Sequence, residues 1–373
     1  MPKVLYVLDT LQTGGAERST LDIASRLKTF QPVVCHIYRN DFLKPEFEKQ
    51  NIPVISLNVA GPYQFVKAYR ALKDVLRREK PDVVIATLLR TELISRVACK
   101  ALGIPIVGTF VNDTYSPYEW QSLSLAMKGK VGFFWFFNMV TARFCAGFLS
   151  NGESIKESNC KALFVPRNKV KVIFRGRRKD LFVFRERHPN PDQLKFLAVG
   201  RLIYRKGFEE LLQAFHLYHK RFPNATLTIA GDGPWRGRLQ QLTITLNLQQ
   251  HVILAGTQKD MPALMEAHDV FVFPSHYEGF SGTVVEAMFS GIPIVASDIA
   301  MNREALEHGQ TGWMFPVMNV SALAEGLVFM TQNFEEGKRF ARHARKVAED
   351  RFDIDVIAAQ HEKYYQEIQA SKE

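Results

Sequence analysis

Two glutamates eight positions apart, Glu278 and Glu286, stand where the chain could hold hydroxyl groups. Glu278 lies in the glycine-containing segment "SHYEGFSG", which follows the strand-like run "DVFVFP". A carboxylate there can accept hydrogen bonds from two adjacent hydroxyls or stabilise developing positive charge. Glu286 comes three residues after Thr283, a spacing that predicts a capping box at the start of a helix ending at Gly291. Glu286 therefore also has a purely structural interpretation, in which it satisfies backbone donors.

Two cations follow another strand-like run. In "KFLAVGRLIYRKGFEELLQAF", Arg201 and Lys206 lie between the strand and a helix, and Gly200 and Gly207 flank them. An arginine fork and a lysine point charge at the carboxyl end of a strand can clamp a diphosphate. Solvated loop charges are the alternative, and the flanking glycines favour the diphosphate clamp.

Glycines mark two further loops. In "LQTGGAERST", Gly14 and Gly15 allow close approach to a ligand, and the helix that follows offers free N–H groups to phosphate. A plain tight turn is the alternative. In "IAGDGPWRG", the last glycine spacing is one residue too long for a dinucleotide fingerprint, and the next strand lacks a terminal acidic residue. This second loop is predicted to be a tight turn between strand and helix.

Short apolar runs that alternate with amphipathic helical patterns must position these loops. Such alternation predicts parallel sheets covered on both faces, and ligands of these sheets bind beyond the carboxyl ends of the strands. We therefore predict an α/β protein with two doubly wound, Rossmann-like domains facing across a cleft. The first spans residues 1–184, the polar "RERHPNPDQ" at 185–193 is a linker, and the second spans 194–352. Whether the final helix, 353–373, packs back on the first domain is left open by the sequence.

Composition narrows the class of protein. Lys and Arg outnumber Asp and Glu by 48 to 38, and the excess lies wholly before residue 191. A basic half can face anionic lipid, nucleic acid or an acidic substrate, or can be simply a soluble surface. Nucleic acid is disfavoured because aromatic residues do not interleave the basic ones in any known module. The four cysteines show no paired spacing, so neither a disulfide framework nor a metal site is predicted.

One segment joins lysines to a run of aromatic residues. Residues 128–144 read "KGKVGFFWFFNMVTARF". Such a helix suits a membrane interface, although a core helix of the first domain explains it as well. No apolar run reaches the ~20 residues of a membrane span. We expect a cytoplasmic protein, with peripheral attachment to the inner face of a membrane as a hypothesis.

The chain resembles the retaining glycosyltransferases of family 4, which have the two-domain GT-B architecture. The resemblance covers nearly the whole chain and depends on "TGGAER", "VGRLIYRKGFEELLQAF", "IAGDGP", "SHYEGFSGTVVEAMFSGIPIVASD", "NRE" and "HGQTGWMF". It implies that Glu278 lies against the transferred sugar and that Glu286 holds ribose hydroxyls. It also implies a metal-independent enzyme with no cofactor besides a nucleoside diphosphate sugar. The implied catalytic residues are Arg201, Lys206 and Glu278, and the implied donor-binding residues are Gly14, Gly15, Gly200, Gly279, Phe280, Ser281, Gly282, Thr283 and Glu286.

The chain departs from the family at two places. Many members carry a histidine after the strand matching "IPIVGTF", where this chain has Asn112 and Asp113, so these two are predicted on the acceptor side. Many also have Asn-Gly where this chain has Arg175 and Gly176, followed by Arg177, Arg178 and Lys179. That basic cluster either favours an anionic ligand or is a solvated run of charge.

The predicted reaction is transfer of a hexose-type sugar from a nucleoside diphosphate sugar to a hydroxyl of a glycan or lipid-linked acceptor, with retention of configuration. Front-face attack is expected, because no well-placed nucleophile stands out. Two alternatives remain: a sugar-nucleotide epimerase of similar shape, and a non-catalytic nucleotide-binding relative.

Overall fold

A computed structural model of the chain describes residues 1–112, 115 and 124–371. Asp113, one of the two predicted acceptor-side residues, lies outside these described residues. The chain forms two compact units, which we call unit 1 (Met1–Gly176 with Ile354–Glu373) and unit 2 (Arg177–Asp353). The chain therefore passes from unit 1 to unit 2 at residues 176–177, before the segment 185–193 that the sequence analysis gives as a linker.

Unit 1 is built on a sheet of seven parallel strands in the described residues, in the order β3-β2-β1-β4-β5-β6-β7. Its strands are rich in valine and isoleucine, which suit positions buried on both faces of a parallel sheet. The strands are β1 (Lys3–Leu8), β2 (Gln31–Tyr38), β3 (Val54–Val59), β4 (Val83–Ala86), β5 (Ile106–Phe110), β6 (Gly147–Ser150) and β7 (Val170–Val172). The helices are α1 (Gly15–Ala24), α2 (Lys44–Lys49), α3 (Phe65–Glu79), α4 (Leu89–Leu102), α5 (Leu125–Ala142) and α6 (Glu153–Leu163), with α14 (Ile354–Ala370) at the end of the chain.

The C-terminal helix α14 is part of unit 1. The Tyr365 hydroxyl lies 3.1 Å from that of Tyr6 on β1, and both rings are buried in the core of the unit. Glu362 accepts hydrogen bonds from the backbone N–H groups of Lys28 and Thr29 at 2.6 and 2.5 Å. Apolar packing and a carboxylate that satisfies two backbone donors therefore hold α14 beside α1.

Unit 2 is built on a sheet of six parallel strands in the order β10-β9-β8-β11-β12-β13. The strands are β8 (Lys195–Val199), β9 (Thr226–Ala230), β10 (Val252–Gly256), β11 (Val270–Phe273), β12 (Ile294–Ser297) and β13 (Trp313–Phe315). The helices are α7 (Phe208–His219), α8 (Arg236–Thr245), α9 (Met261–Glu266), α10 (Gly282–Ser290), α11 (Ala300–Arg303), α12 (Val320–Gln332) and α13 (Phe334–Arg351). The prediction of two doubly wound α/β domains is confirmed, whereas β13 was not predicted because three residues carry too little periodicity.

Hydrogen bonds and ion pairs attach the segment 185–193 to unit 2, and Arg187 makes the most buried of these contacts. Arg187 donates hydrogen bonds to the backbone oxygens of Met265, His268 and Gly291, at 3.0, 2.9 and 2.8 Å. Burial lowers the pKa of Arg187 to about 10. The polar composition that predicts a linker therefore includes a cation that satisfies carbonyls at the ends of two helices.

Both sheets contain a point at which the strand order reverses. In unit 1 it lies between β1 and β4, and in unit 2 between β8 and β11. The connections on either side of such a point run in opposite directions, so a crevice opens beyond the carboxyl ends of the two strands. The loops after β8 and β11 carry Lys206 and Glu278, and the loop after β1 carries Gly14 and Gly15.

Candidate functional site

The crevice of unit 2 brings together two predicted catalytic residues. Nζ of Lys206 lies 3.0 Å from Oε1 of Glu278, and the side chains are only 11% and 14% exposed. The contact forms because β8 and β11 are neighbours, so the loops that follow them start at the same edge of the sheet. A cation and a carboxylate thus share a largely buried position, where their mutual attraction is stronger than at an open surface.

Gly200 makes room for Lys206. A Cβ added at Gly200 would lie 3.1 to 3.4 Å from the last three atoms of the lysine chain, so any larger residue would press on them. The ammonium also lies 5.1 Å from the ring centre of Phe273, within the range of a cation–π contact. The position of the lysine therefore depends on the Phe273 ring, on Glu278 and on the space that Gly200 leaves.

The two arginines of the loop that carries Lys206 differ in their surroundings. Arg201 is exposed, and no hydrogen bond or ion pair of its side chain is found among the described residues. Arg205 lies 3.7 Å from Oε1 of Glu278 and 5.5 Å from the ring centre of Tyr277. Arg205 therefore lies beside the same carboxylate as Lys206.

A buried histidine supports the loop after β11. His276 lies 3.2 Å from Oε2 of Glu210 on α7, and its backbone N–H donates to the Arg205 carbonyl at 2.8 Å. Burial acts to raise the pKa of Glu210, but the His276 hydrogen bond and the backbone hydrogen bond outweigh it, so this pKa is lowered. The two contacts of His276 tie the loop of Glu278 to α7 and to the loop of Lys206. The sequence analysis missed it because the two residues are far apart along the chain.

The predicted capping box at the start of α10 is wrong. The helix begins at Gly282 with Ser281 at its N-cap, so Thr283 is already helical, and its hydroxyl lies 2.9 Å from that of Ser281. Glu286 forms an ion pair instead, with Nε of Arg177 at 2.7 Å from its Oε1. The helix does end at Gly291, which adopts the left-handed conformation that its C-cap requires.

Arg177 covers the first turn of α10. A Cβ added at Gly282 would collide with the Arg177 guanidinium, so only glycine allows the arginine to lie there. The neighbouring members of the basic cluster are also paired, Arg178 with Asp180 at 2.6 Å and Lys179 with Asp353 at 2.5 Å. Residues 177–179 are therefore ion-paired, and the partner of Arg177 is Glu286, a predicted donor-binding residue.

The predicted donor-binding segment lies at the N-terminus of α10. Phe280 is buried and packs on Phe352 with ring centres 5.1 Å apart, so its side chain stabilises the loop from below. The first N–H groups of a helix have no partner within it and suit an anionic group. The members of this segment are Gly279, Phe280, Ser281, Gly282 and Thr283.

The glycines of "GDG" serve close packing between loops. Gly231 has a φ of +137°, and a Cβ there would collide with the carbonyl of Gly200. A Cβ at Gly233 would lie 2.5 Å from the carbonyl oxygen of Leu202. The loop after β9 is therefore a tight turn pressed against the loop that carries Arg201 and Lys206.

In unit 1, the predicted phosphate loop lies at the N-terminus of α1. Gly14 is its N-cap, and Glu17 folds back so that a Cβ at Gly14 would collide with its carboxylate. Burial raises the pKa of Glu17, a backbone hydrogen bond opposes this, and the nearby Asp9 raises it further. A Cβ at Gly15 would lie 3.6 Å from both terminal nitrogens of Arg175. The arginine that replaces the family's asparagine thus lies beside the predicted loop.

Asp9 is a buried carboxylate that the sequence analysis missed. It directly follows β1 and accepts hydrogen bonds from Arg90 at 3.1 Å and from the Thr91 hydroxyl, both of which follow β4. A charged residue immediately after a central strand was the signal that could have found it. The predicted acceptor-side residue Asn112 is exposed, and its backbone oxygen accepts a hydrogen bond from Asn159 at 3.1 Å.

Among residues 1–112, 115 and 124–371, no three His, Cys, Asp or Glu residues are grouped so that they could hold a metal ion. The two aspartates of "DID" pair with cations, Asp353 with Lys179 and Asp355 with Arg26.

Known families match both units. Residues 180–347 match the family model described as "Glycosyl transferases group 1", and residues 13–180 match that described as "Glycosyltransferase Family 4". Between them the two matches run from residue 13 to residue 347.

Individual known proteins are similar to this chain over part of its length. An uncharacterised glycosyltransferase of Methanocaldococcus jannaschii is 31% identical over 220 residues, 55% of this chain and 56% of that protein. The Escherichia coli UDP-Gal:alpha-D-GlcNAc-diphosphoundecaprenol alpha-1,3-galactosyltransferase is 25% identical over 79% of this chain and 77% of its own length. The chain spans 46% to 66% of the length of the first curated relatives that it matches.

The fold is shared with solved structures. The structure of Anabaena HepE in complex with UDP and glucose superposes with a TM-score of 0.82, at 22% identity, over 98% of this chain and 100% of that chain. This likeness shows the two-domain fold.

Proposed function

We propose that the chain is a glycosyltransferase of the GT-B type, which transfers a hexose-type sugar from a nucleoside diphosphate sugar to an acceptor hydroxyl. The observation that carries the proposal is the largely buried contact between Lys206 and Glu278. A cation that can neutralise a departing diphosphate lies there beside a carboxylate that can face a sugar, at the switch point of the sheet.

The proposed reaction proceeds with retention of anomeric configuration. The bond between C1 and the diphosphate oxygen breaks while the acceptor oxygen bonds to C1 on the same face. The departing phosphate oxygen takes the proton of the acceptor hydroxyl. Lys206 and Arg201 stabilise the negative charge that develops on the leaving group, and such preorganised charge is commonly the largest contribution to rate. No metal ion is required in this scheme, because protein cations and the N-terminus of α10 face the diphosphate.

The relatives support a uridine diphosphate sugar as donor. The name of the Escherichia coli relative specifies UDP-galactose and a diphosphoundecaprenol-linked acceptor, and the Anabaena structure contains UDP and glucose. We propose a uridine nucleotide for this chain, with Glu286 on the ribose, and a saccharide or lipid-linked acceptor. Such an acceptor places the enzyme at the cytoplasmic face of a membrane.

The decisive experiment measures donor binding and turnover in one series. Thermal shifts are recorded with uridine, guanosine and adenosine diphosphates and their sugars, and the best donor is then incubated with and without candidate acceptors. Diphosphate release that needs an acceptor, with an axial product linkage by NMR from an axial donor, supports the proposal. Conversion of the donor sugar without any acceptor identifies an epimerase. Nucleotide binding with no release identifies a non-catalytic relative.

A further inference from the structure

A wide apolar groove opens on unit 1 between helices α3, α4 and α5. Its volume is about 370 Å³, and only one of its lining side chains, that of Thr141, is neither aliphatic nor aromatic. Val66 on α3 is 66% exposed and Phe133 on α5 is 60% exposed, so the walls face solvent and not the core. Contiguous apolar surface of this kind on a soluble chain marks a contact with another apolar body.

Helix α5 is oriented in the opposite way to a core helix. Its sequence is apolar on nearly every side, a pattern that normally belongs to a buried helix. Yet its buried residues are Asn138, Thr141 and Ala142, whereas Phe133, Phe136 and Phe137 are largely exposed. The apolar surface is thus left on the outside of the unit.

Polar contacts hold the helix in this orientation. The fully buried Arg96 on α4 donates to Oδ1 of Asn138 at 2.5 Å and to the Thr141 hydroxyl at 3.3 Å. At the other side, Nε1 of Trp135 donates to the Ala162 carbonyl at 2.8 Å. Rotating α5 to bury its phenylalanines would leave the Arg96 guanidinium without these partners, which is costly for a buried charge.

The helices that form the groove carry cations close to it. Nζ of Lys73 lies 3.3 Å from the hydroxyl of Tyr69, which lines the groove, and Lys130 precedes Phe133 and Phe134 by one helical turn. Residues 124–143 contain three basic side chains and no acidic one, and α3 contains five basic and two acidic ones. The rim is therefore positive, whereas the floor is apolar.

A positive rim around an apolar floor fits some classes of partner better than others. A second copy of the chain docked through the same patch would place like charges opposite each other, because such an interface is self-complementary. A nucleic acid would satisfy the cations and leave the apolar floor unfilled. An anionic bilayer satisfies both, because phosphate groups meet the lysines while acyl chains meet the phenylalanines. No helix in the described residues is both long and apolar enough to cross a membrane.

We propose that the groove of α3, α4 and α5 docks on an anionic phospholipid bilayer and seats a lipid acyl chain between Val66, Val97 and Phe137. This docking site goes beyond the proposed transfer reaction, because it forms without donor or acceptor. Unit 1 alone carries the groove and its rim.

Vesicle flotation of the full chain tests the proposal. The vesicles are pure phosphatidylcholine, or phosphatidylcholine mixed in equal parts with phosphatidylglycerol. We expect binding to the anionic vesicles, about 30-fold weaker for the double variant Lys128→Gln/Lys130→Gln, since each surface cation contributes about fivefold. The control Lys220→Gln/Lys346→Gln removes the same charge from exposed sites of unit 2 and should bind as wild type does.

A second pair of variants tests the groove itself. Phe133→Ser/Phe137→Ser removes exposed aromatic surface and should weaken binding at least about tenfold. The control Ile244→Ser/Ile253→Ser removes exposed apolar side chains from unit 2 and should have no effect. An environment-sensitive dye on Val97→Cys, where the four native cysteines are buried, should be quenched by vesicles with brominated acyl chains.

Four outcomes would overturn the proposal: no vesicle binding by the wild type, equal binding to both lipid mixtures, unchanged binding by the phenylalanine variant, or a dimer that this variant dissociates. The thermal shift with nucleoside diphosphate is measured on every variant. An unchanged shift in a variant that no longer binds vesicles separates loss of docking from loss of the donor site.

Discussion

The ammonium of Lys206 lies 3.0 Å from Oε1 of Glu278, so two residues that we propose to be catalytic form an ion pair with each other. In the proposed reaction, the diphosphate therefore competes with Glu278 for the ammonium of Lys206. The pairing compensates the charges of a cation and a carboxylate that are both largely buried.

Replacing Lys206 by alanine should lower kcat on the order of 100-fold, because a preorganised cation at the leaving group is lost. Steady-state assays of diphosphate release measure the effect. Lys220→Ala, at an exposed position just after α7, is the control and should be unaffected. Near-normal turnover in both Lys206→Ala and Arg201→Ala would contradict the proposed mechanism.

Gly200→Ala should slow turnover about tenfold without unfolding unit 2. Its new methyl group would lie 3.1 Å from Cε of Lys206 and would displace the ammonium. The expected cost is about that of a strained rotamer. The matched control is Gly237→Ala on α8, where nothing lies within 4 Å and alanine should stabilise the helix. If both variants kept wild-type kcat, the position of Lys206 would not matter for the reaction.

Arg177→Ala should raise the donor KM about tenfold with little change in kcat, because Glu286 loses a charge-assisted hydrogen bond that orients it. Arg177→Lys should restore part of the affinity. Arg178→Ala removes an exposed arginine paired with Asp180 and serves as the control. A lower KM in Arg177→Ala would show that the arginine competes with the donor instead of positioning Glu286.

Arg96→Met should destabilise unit 1 by about 3–5 kcal/mol, because it leaves the buried carboxylate of Glu92 without its cation. Burial raises the pKa of Glu92 even though Arg96 and the Thr109 hydrogen bonds oppose this. The double variant Arg96→Met/Glu92→Leu should recover much of the loss, and urea unfolding measures all three proteins. A double variant that is less stable than Arg96→Met would refute this account.

His361 should make the stability of unit 1 depend on pH. Burial lowers its pKa from 6.5 to about 4, so on acidification the unfolded chain takes up a proton before the folded chain does. Stability is therefore complete above pH 6.5 and is lost progressively as the pH falls toward 4, by about 2–3 kcal/mol.

Urea unfolding at a series of pH values measures this dependence. The slope between pH 4 and 6.5 should flatten in His361→Gln and persist in the control His343→Gln, whose histidine is exposed on α13. Equal slopes in the wild type and in His361→Gln would show that other groups cause the pH dependence.

The sequence predicted the sheets well because their signal is local. The run "KVLYVL" and its counterparts are apolar along their whole length, which neighbouring residues alone determine. The position of Lys206 and Glu278 at one edge followed from their places after strands of a parallel sheet. The three-residue strand β13 was too short to show a period.

Pairings between distant residues were not predictable in this way. Glu286 has the spacing of a capping box with Thr283, yet its partner is Arg177, which lies in another part of the chain. Likewise the sequence of α5 fits either a core helix or a membrane-interface helix, and the buried Arg96 holds it with its phenylalanines outward.

From sequence alone, then, the period of the apolar residues and the turn chemistry specified two parallel α/β folds and the loops that carry charge. The tertiary packing specified which of those charges meet, which face of α5 is exposed, and that α14 belongs to unit 1. The physical reason is range: periodicity acts over a few residues, whereas the partner of a buried charge depends on which strands and helices become neighbours in space.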